Sequence, residues 1–299
     1  MKNSWSVIAI VWLGTFTHSA GGQVLNEAFL HSTVLVSFAQ DPLHQSFGSG
    51  FFVFRPIDGN KGHVVLVTNR HVLPPPGVAK TIRIRVATKT GAETPQIRSI
   101  EVPVVGNDGK YLPSVALHPN PQFDIAVVNV TGSIQQENIQ GAWLPFELFA
   151  TPEKLTNENI TVGDEIFLLG YPDAIYDPRN AYPVLRVGII ATVPTEGYAF
   201  NESLRKRYGL PDKIDGFLID ANVFPGSSGS VVVLKPQATT IGPQGETVVS
   251  AAKKIPYVLG IVAGAIPITD TALNSTQRMG LGIAYSAAAV KAVIDALPK

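Results

Sequence analysis

The sequence predicts an all-β protein, a barrel or sandwich finished by one C-terminal helix, and three observations carry that prediction. Short apolar or alternating runs recur from Ser32 onward, with turn residues between them. Val, Ile, Thr and Gly are abundant, and the 23 prolines separate the runs. Only the segment from Ala287 to Leu297 has a convincing helical pattern, with Val290, Val293, Ile294 and Leu297 on one face and Ser286 placed to cap it.

Taken in order, Thr33 to Phe38, Gly50 to Phe54, His63 to Thr68, Thr81 to Ala87 and Ile125 to Val130 read as strands. Pro74 to Gly77 and Gly106 to Gly109 read as loops, because Pro removes a ladder donor and Gly or Asn tolerates positive φ. A polar, helix-permissive stretch from Ser133 to Asn159 divides this series from a second one. The second series comprises Glu165 to Leu169, Val184 to Ala191, Gly216 to Ile219, Ser230 to Leu234, Tyr257 to Val262 and Gly282 to Tyr285. Tyr171 to Asp215 is largely a long loop, with a short helix at Asn201 to Tyr208.

Composition narrows the function classes. Of 299 residues, 45% are hydrophobic and 15% charged, enough to bury one large core or two smaller ones. Lys plus Arg equals Asp plus Glu, at 23 each, so no net field recruits nucleic acid or an anionic membrane. The absence of cysteine excludes disulfides, thiol nucleophiles and Cys-ligated metals. The six histidines, at 18, 31, 44, 63, 71 and 118, include no pair at close helical spacing. No metal and no cofactor are expected. Sequons at Asn129, Asn159, Asn201 and Asn274 matter only in a glycosylating host.

Residues 1–21 read as a signal peptide. Lys2 supplies the positive start, Trp5 to Phe16 the apolar stretch, and Ser19 to Gly22 the small residues around a cleavage site. The alternative is a retained N-terminal anchor. Cleavage gives a mature protein that is secreted or periplasmic, with no stable membrane insertion.

The decisive segment is Asn222-Val223-Phe224-Pro225-Gly226-Ser227-Ser228-Gly229-Ser230, followed by Val231 to Val233. A serine hydroxyl attacks only when a base removes its proton, and the resulting oxyanion needs backbone N–H donors. Glycines around the serine permit the tight turn that aims those donors, while Pro225 fixes its approach. Alone, such a turn is more often purely structural. It gains meaning from two earlier segments: Thr68 to Val72, where His71 ends an apolar strand, and His118 to Val128, where Asp124 opens another. The order His, Asp, Ser separates the chain from subtilisin-like and α/β-hydrolase arrangements. Ser227 and Ser230 are nucleophiles only if the turn register is wrong, and Asp220 is read as structural.

These segments resemble the trypsin-like peptidase superfamily, in its cysteine-free bacterial branches related to HtrA and the glutamyl endopeptidases. Gly48 to Val53 is similar to the strand before the histidine strand, Val67 to Val72 to the histidine motif, Phe123 to Val127 to the aspartate motif, and Pro225 to Ser230 to the nucleophile turn. Arg186 to Ile190, Leu259 to Val262 and Gly282 to Ala284 are similar to strands of the second barrel. The resemblance extends from Ser32 to Leu297. It implies two antiparallel six-stranded β-barrels of chymotrypsin type with a C-terminal helix. Residues 22–145 then carry His and Asp, and residues 146–299 carry Ser.

The resemblance also implies roles. Ser228 is the nucleophile, His71 the general base and then acid, and Asp124 the group that orients the imidazole. The N–H groups of Gly226 and Ser228 form the oxyanion hole. Asn222 lies at the base of the S1 pocket, with Val223, Val262, Ala263, Gly264, Ala265, Gly282 and Ala284 around it. A carboxylate at Asn222 would select Arg or Lys and a histidine at Val262 would select Glu, so an uncharged P1 residue of small or medium size is expected. Ser230 stands where the family usually has glycine. No free Ile or Val terminus of the trypsin kind is in view, so zymogen activation by terminus insertion is not expected. The implied activity is that of a serine endopeptidase acting on a protein or peptide substrate, with oligomeric state unknown. The alternatives are a catalytically silent binding barrel, a protease–chaperone with appended peptide-binding domains, for which no residues remain after Leu297, and an esterase using the same triad.

Overall fold

A computed structural model describes Leu25 and residues 27–298, apart from residues 60, 89–95, 138, 140, 242–246 and 271–274. The signal peptide assigned to residues 1–21 and the sequon at Asn274 lie outside the described residues.

A short helix α1 (Ala28–Ser32) leads into the first half of the chain. Its strands are β1 (Thr33–Ala39), β2 (Gln45–Asp58), β3 (Lys61–Thr68), β4 (Thr81–Thr88), β5 (Gln96–Pro103), β6 (Val115–Leu117) and β7 (Ala126–Asn129). They form one sheet in the order β5-β4-β1-β2-β3-β7-β6, and β8 (Leu144–Pro145) adds in parallel to β2. The connection to the second half holds α2 (Thr131–Gln136) and α3 (Pro152–Asn157), the latter with Pro at its start and Thr151 as its cap.

The second half contains β9 (Glu165–Gly170), β10 (Val184–Ile190), a short pair of β11 (Tyr198–Ala199) with β12 (Lys213–Ile214), and α4 (Glu202–Tyr208) between that pair. Then come β13 (Gly216–Asp220), β14 (Val231–Leu234), the hairpin of β15 (Gln237–Ile241) and β16 (Thr247–Lys254), β17 (Val258–Asp270), β18 (Ser275–Ser286) and α5 (Ala287–Asp295). Six of these close an antiparallel barrel in the order β10-β13-β18-β17-β14-β9. This ring and the terminal helix match the fold class read from the sequence. In the first half the pairings among the described residues run along seven strands from β5 to β6, with β8 joined to the side of β2, and they do not by themselves close a second ring.

Strand β3 shows why its sequence reads as a continuous apolar run. Val64 and Leu66 face the core enclosed by the first sheet, with Ile82, Ile84, Ile100 and Val128. Val65 and Val67 face the opposite way, into a core shared with Leu168, Val231, Val262 and Val290 of the second half. A strand buried on both faces loses the polar alternation of a half-exposed one.

The terminal helix is fastened to the first sheet by a charge. Ser286 Oγ caps α5 by accepting from Ala289 N at 3.1 Å, and Val290, Val293 and Ile294 are buried beneath it. At the other end, Arg55 of β2, only 6% exposed, donates to Leu297 O at 2.9 Å, Pro298 O at 3.1 Å and Asp295 O at 3.3 Å. A cation among terminal helix carbonyls satisfies acceptors that the helix itself cannot. Arg55→Met leaves those carbonyls without a donor, and urea unfolding should show a loss of about 2 kcal/mol.

His63 of β3 stands opposite Arg55 across the β2–β3 ladder, and its Nδ1 is buried without a hydrogen-bond partner among the described residues. Burial, and then the Arg55 charge, hold its pKa below the ordinary 6.5. The folded chain therefore refuses a proton that the unfolded chain takes up. Stability is full above the ordinary value and falls as pH drops through it. The decline in Tm from about pH 7 to about pH 5 should be smaller in His63→Gln than in the wild type.

Candidate active site

Strand β3 ends at Thr68, and the chain then turns through Asn69 into a 3-10 turn, Arg70–Val72, that carries His71 at the surface. The fully buried Asn69 donates from Nδ2 to Asp124 O at 2.6 Å, joining the end of β3 to the segment that leads into β7. Arg70 donates to His118 O at 2.7 Å, and His118 N donates to Ile125 O at 3.0 Å, so the loop bearing Asp124 is held at both ends.

The structure brings His71 and Asp124 together at two points. Asp124 Oδ1 accepts the backbone N–H of His71 at 3.0 Å, and Oδ2 pairs with His71 Nδ1. A carboxylate can only accept, so the Nδ1 position carries the proton and Nε2 is left as the basic nitrogen. The imidazole is 54% exposed and the carboxylate 29%, which leaves Nε2 accessible to a substrate. Tyr285 closes the space behind this pair: its ring lies 5.7 Å from that of Phe123 and its hydroxyl donates to Gln122 O at 3.2 Å. Burial raises the Tyr285 pKa, so the phenol stays neutral beside the carboxylate.

Ser228 sits on the turn that precedes β14. Ser227 N donates to Phe224 O at 3.0 Å across Pro225-Gly226, and Gly226 has φ +79°. Pro at the first and a positive-φ Gly at the second central position make a type II turn. A Cβ on Gly226 would lie 2.4 Å from Tyr171 O, and one on Gly229, at φ +87°, would lie 1.8 Å from Ser49 O. Both positions demand glycine for space as well as for conformation. The N–H groups of Gly226 and Ser228 donate to no backbone acceptor among the described residues, in keeping with donors left open for a ligand.

The serine hydroxyl donates to Ala263 O at 3.3 Å, and no hydrogen bond joins it to His71 among the described residues. The two sides of the site nevertheless meet at Gly48. A Cβ there would lie 2.6 Å from the Val72 side chain, next to His71, and 3.2 Å from Ser228 O.

The expected pocket residues divide into two groups. Asn222 is exposed, and Ala263, Gly264 and Ala265 are partly so. Val223, Val262 and Ala284 are sealed into the core at 4%, 0% and 0% exposure and Gly282 is buried with them, so these four would back the expected pocket and not line it. A Cβ on Gly282 would lie 2.7 Å from Val223 Cγ2, which shows how tightly that backing is packed. A separate depression of about 290 Å³ lies beyond Phe123, against Gly197, Lys213, Ile214 and Asp215, and involves none of the expected pocket residues.

Three residues at the site escape a reading by motif. Ser49, fully buried, bonds to the turn that carries Ser228. Tyr285 shields Asp124. Arg186, on the inward side of β10, donates from Nη1 to Asn222 O, while its Nε and Nη2 are buried without partners among the described residues. Burial lowers the Arg186 pKa from its usual value. The one available sequence signal is a polar residue inside an apolar run, present at both Ser49 and Arg186. Among the described residues there is no cluster fit to hold a metal ion, and no helix is long and apolar enough to cross a membrane.

Comparison with known proteins adds the following. The Rv3671c protease from M. tuberculosis, in its active form, is 20% identical over 90% of this chain and 82% of that one, with a TM-score of 0.47. The serine endoprotease from Yersinia pestis is 17% identical over 90% of this chain and 63% of that one, with a TM-score of 0.44. Deg5 is 16% identical over 80% and 81%, with a TM-score of 0.43. A search of curated proteins found no match. Residues 48–242, well over half of the chain, match the family described as the trypsin-like peptidase domain. The chain therefore belongs to the trypsin-like peptidase family and is a serine endopeptidase, a hydrolase of peptide substrates.

Proposed function

We propose that the protein hydrolyses peptide bonds through an acyl-enzyme formed on Ser228, with His71 as general base and acid and Asp124 as its orienting partner. The observation that carries this reading is the double engagement of the Asp124 carboxylate with His71, through the backbone N–H and through Nδ1. It fixes the imidazole with Nε2 as the base.

In the reaction Ser228 Oγ leaves Ala263 O and turns toward Nε2. As Oγ bonds to the scissile carbonyl carbon, its proton passes to Nε2. The carbonyl π pair moves onto oxygen, where the N–H groups of Gly226 and Ser228 receive it. Nε2 then gives the proton to the leaving amine as the C–N bond breaks. Water, deprotonated at the same nitrogen, adds to the acyl carbon, and expulsion of Ser228 Oγ frees the acid. The charge that develops on the imidazole is stabilised by Asp124. By resemblance, the substrate backbone pairs along Leu259 to Val262 and its continuation.

The accessible pocket residues Asn222, Ala263, Gly264 and Ala265 carry no charge, which supports an uncharged P1 side chain of small or medium size. One observation favours a second reading, an acidic P1 residue. The Arg186 guanidinium, bonded to Asn222 O, has no carboxylate partner among the described residues, and a buried unpaired cation attracts negative charge. Either reading disfavours Lys and Arg. The leader-like residues 1–21 support action outside the cytoplasm, in secreted or periplasmic form.

A fluorophosphonate probe should label the wild-type protein and fail to label Ser228→Ala and His71→Ala. Well-folded wild type that does not label would point instead to the silent binding barrel. A P1-varied peptide library should show preference for small or medium uncharged residues. Dominant cleavage after Glu or Asp, abolished in Arg186→Met, would establish the second reading, and dominant cleavage after Lys or Arg would overturn both.

A further inference from the structure

The four carbonyl oxygens from Pro225 to Ser228 are all claimed. Pro225 O accepts from Asp173 N at 2.7 Å, Ser227 O from Ser230 N at 2.9 Å, Gly226 O from Ser49 Oγ at 2.7 Å and Ser228 O from Ser49 N at 2.7 Å. Two of these four donors belong to one residue. That residue lies on β2, in the half of the chain that carries His71, whereas Asp173 and Ser230 belong to the same half as Ser228.

The Ser49 side chain has no freedom left. Its single proton goes to Gly226 O, so its oxygen must accept from its other two neighbours, Tyr171 N at 2.9 Å and Ser230 Oγ at 3.4 Å. Its carbonyl accepts Thr68 Oγ1 at 2.7 Å, three residues before His71. The residue is fully buried, so water cannot replace any of these bonds. Ser49 therefore holds the histidine strand on one side and alternate peptides of the nucleophile turn on the other. The peptides it holds flank those that supply the Gly226 and Ser228 N–H groups.

We propose that Ser49 is a positioning residue for catalysis: its hydroxyl and N–H fix the nucleophile turn against the histidine strand, with the oxyanion donors facing the substrate. It touches no reacting atom. Without the hydroxyl, Gly226 O has no donor, and the turn is free to rotate its peptides away from the arrangement that aims both N–H groups outward. The effect falls on the transition state, where the oxyanion exists, and spares substrate binding in the ground state.

The inference rests on the Ser228 mechanism, and its test separates the two. Ser49→Ala and Ser49→Cys would be compared with wild type and with Arg55→Met, a destabilised variant remote from the turn. Folded fraction by circular dichroism, Tm, the rate constant of fluorophosphonate labelling, and kcat and KM on a peptide substrate would be measured for each. Expected is a loss of tenfold or more, on the order of the cost of a small misplacement, in both labelling rate and kcat for Ser49→Ala, with KM within about threefold. Ser49→Cys, retaining a weak donor, should fall between Ser49→Ala and wild type, and folded Arg55→Met should label at the wild-type rate. If wild type labels and Ser49→Ala labels within about twofold of it, or if its loss lies in KM or matches that of Arg55→Met, the proposal is overturned. If Ser49→Ala does not fold, a folded Ser49→Cys with wild-type kcat overturns it equally. Failure of wild type itself to label would refute the Ser228 mechanism instead.

Discussion

The site depends on how closely the backbone of β2 approaches the turn that carries Ser228. Ser49 N lies 2.7 Å from Ser228 O, and a Cβ on Gly229 would fall 1.8 Å from Ser49 O. Two sheets with separate strand orders meet here main chain to main chain, and the Ser49 hydroxyl adds a side-chain bridge to Gly226 O and Tyr171 N. Such an approach tolerates no extra methyl group, which is why glycine appears at 48 and 229, while at 226 it is Tyr171 O that leaves no room. Hydrogen bonds between rigid backbones transmit position far better than contacts between flexible side chains.

An apolar seam surrounds this polar contact. The core that contains Phe51, Val65 and Val67 of the first half also contains Phe167, Leu169, Val231 and Ile261 of the second. Its burial supplies the association energy, since roughly 25 cal/mol follows each Å² of apolar surface removed from water. The buried hydroxyls and amides contribute orientation more than net stability, because each replaces a bond to water. His71 and Asp124 lie on the wet side of the seam, where the imidazole stays accessible to substrate.

Much of the architecture was legible in the sequence because it depends on local rules. The alternation of β10, the cap at Ser286, the short helix after Asn201 and the two-faced burial of β3 follow from residue type and spacing. His71, Asp124 and Ser228 stood out because each closes or opens an apolar strand. Less legible were features set by contacts between distant segments. β5, with Arg98 and Glu101 among its few hydrophobics, takes its place by pairing with β4 along eight residues. The extension of β17 past Val262 and of β18 back from Gly282 depends on mutual pairing interrupted by bulges. Val262 and Ala284 face the core because their ladder partners set the register, which a family position alone does not reveal. Ser49 and Arg186 look like ordinary polar interruptions until their partners, at Gly226 and Asn222, are known.

The bond from Arg55 to Leu297 O spans 242 residues, nearly the whole described chain. Strand β2 leaves the ribosome long before the carbonyls that will satisfy its guanidinium have been made. Until then Arg55 must stay hydrated, and the end of β2 that carries it cannot be finally packed. The contact that buries Arg55 thus waits on residues 295–298, among the last of the described residues to be made. A chain interrupted before that point leaves a hydrated charge where a buried contact belongs, giving quality control a physical mark by which an unfinished molecule differs from a finished one.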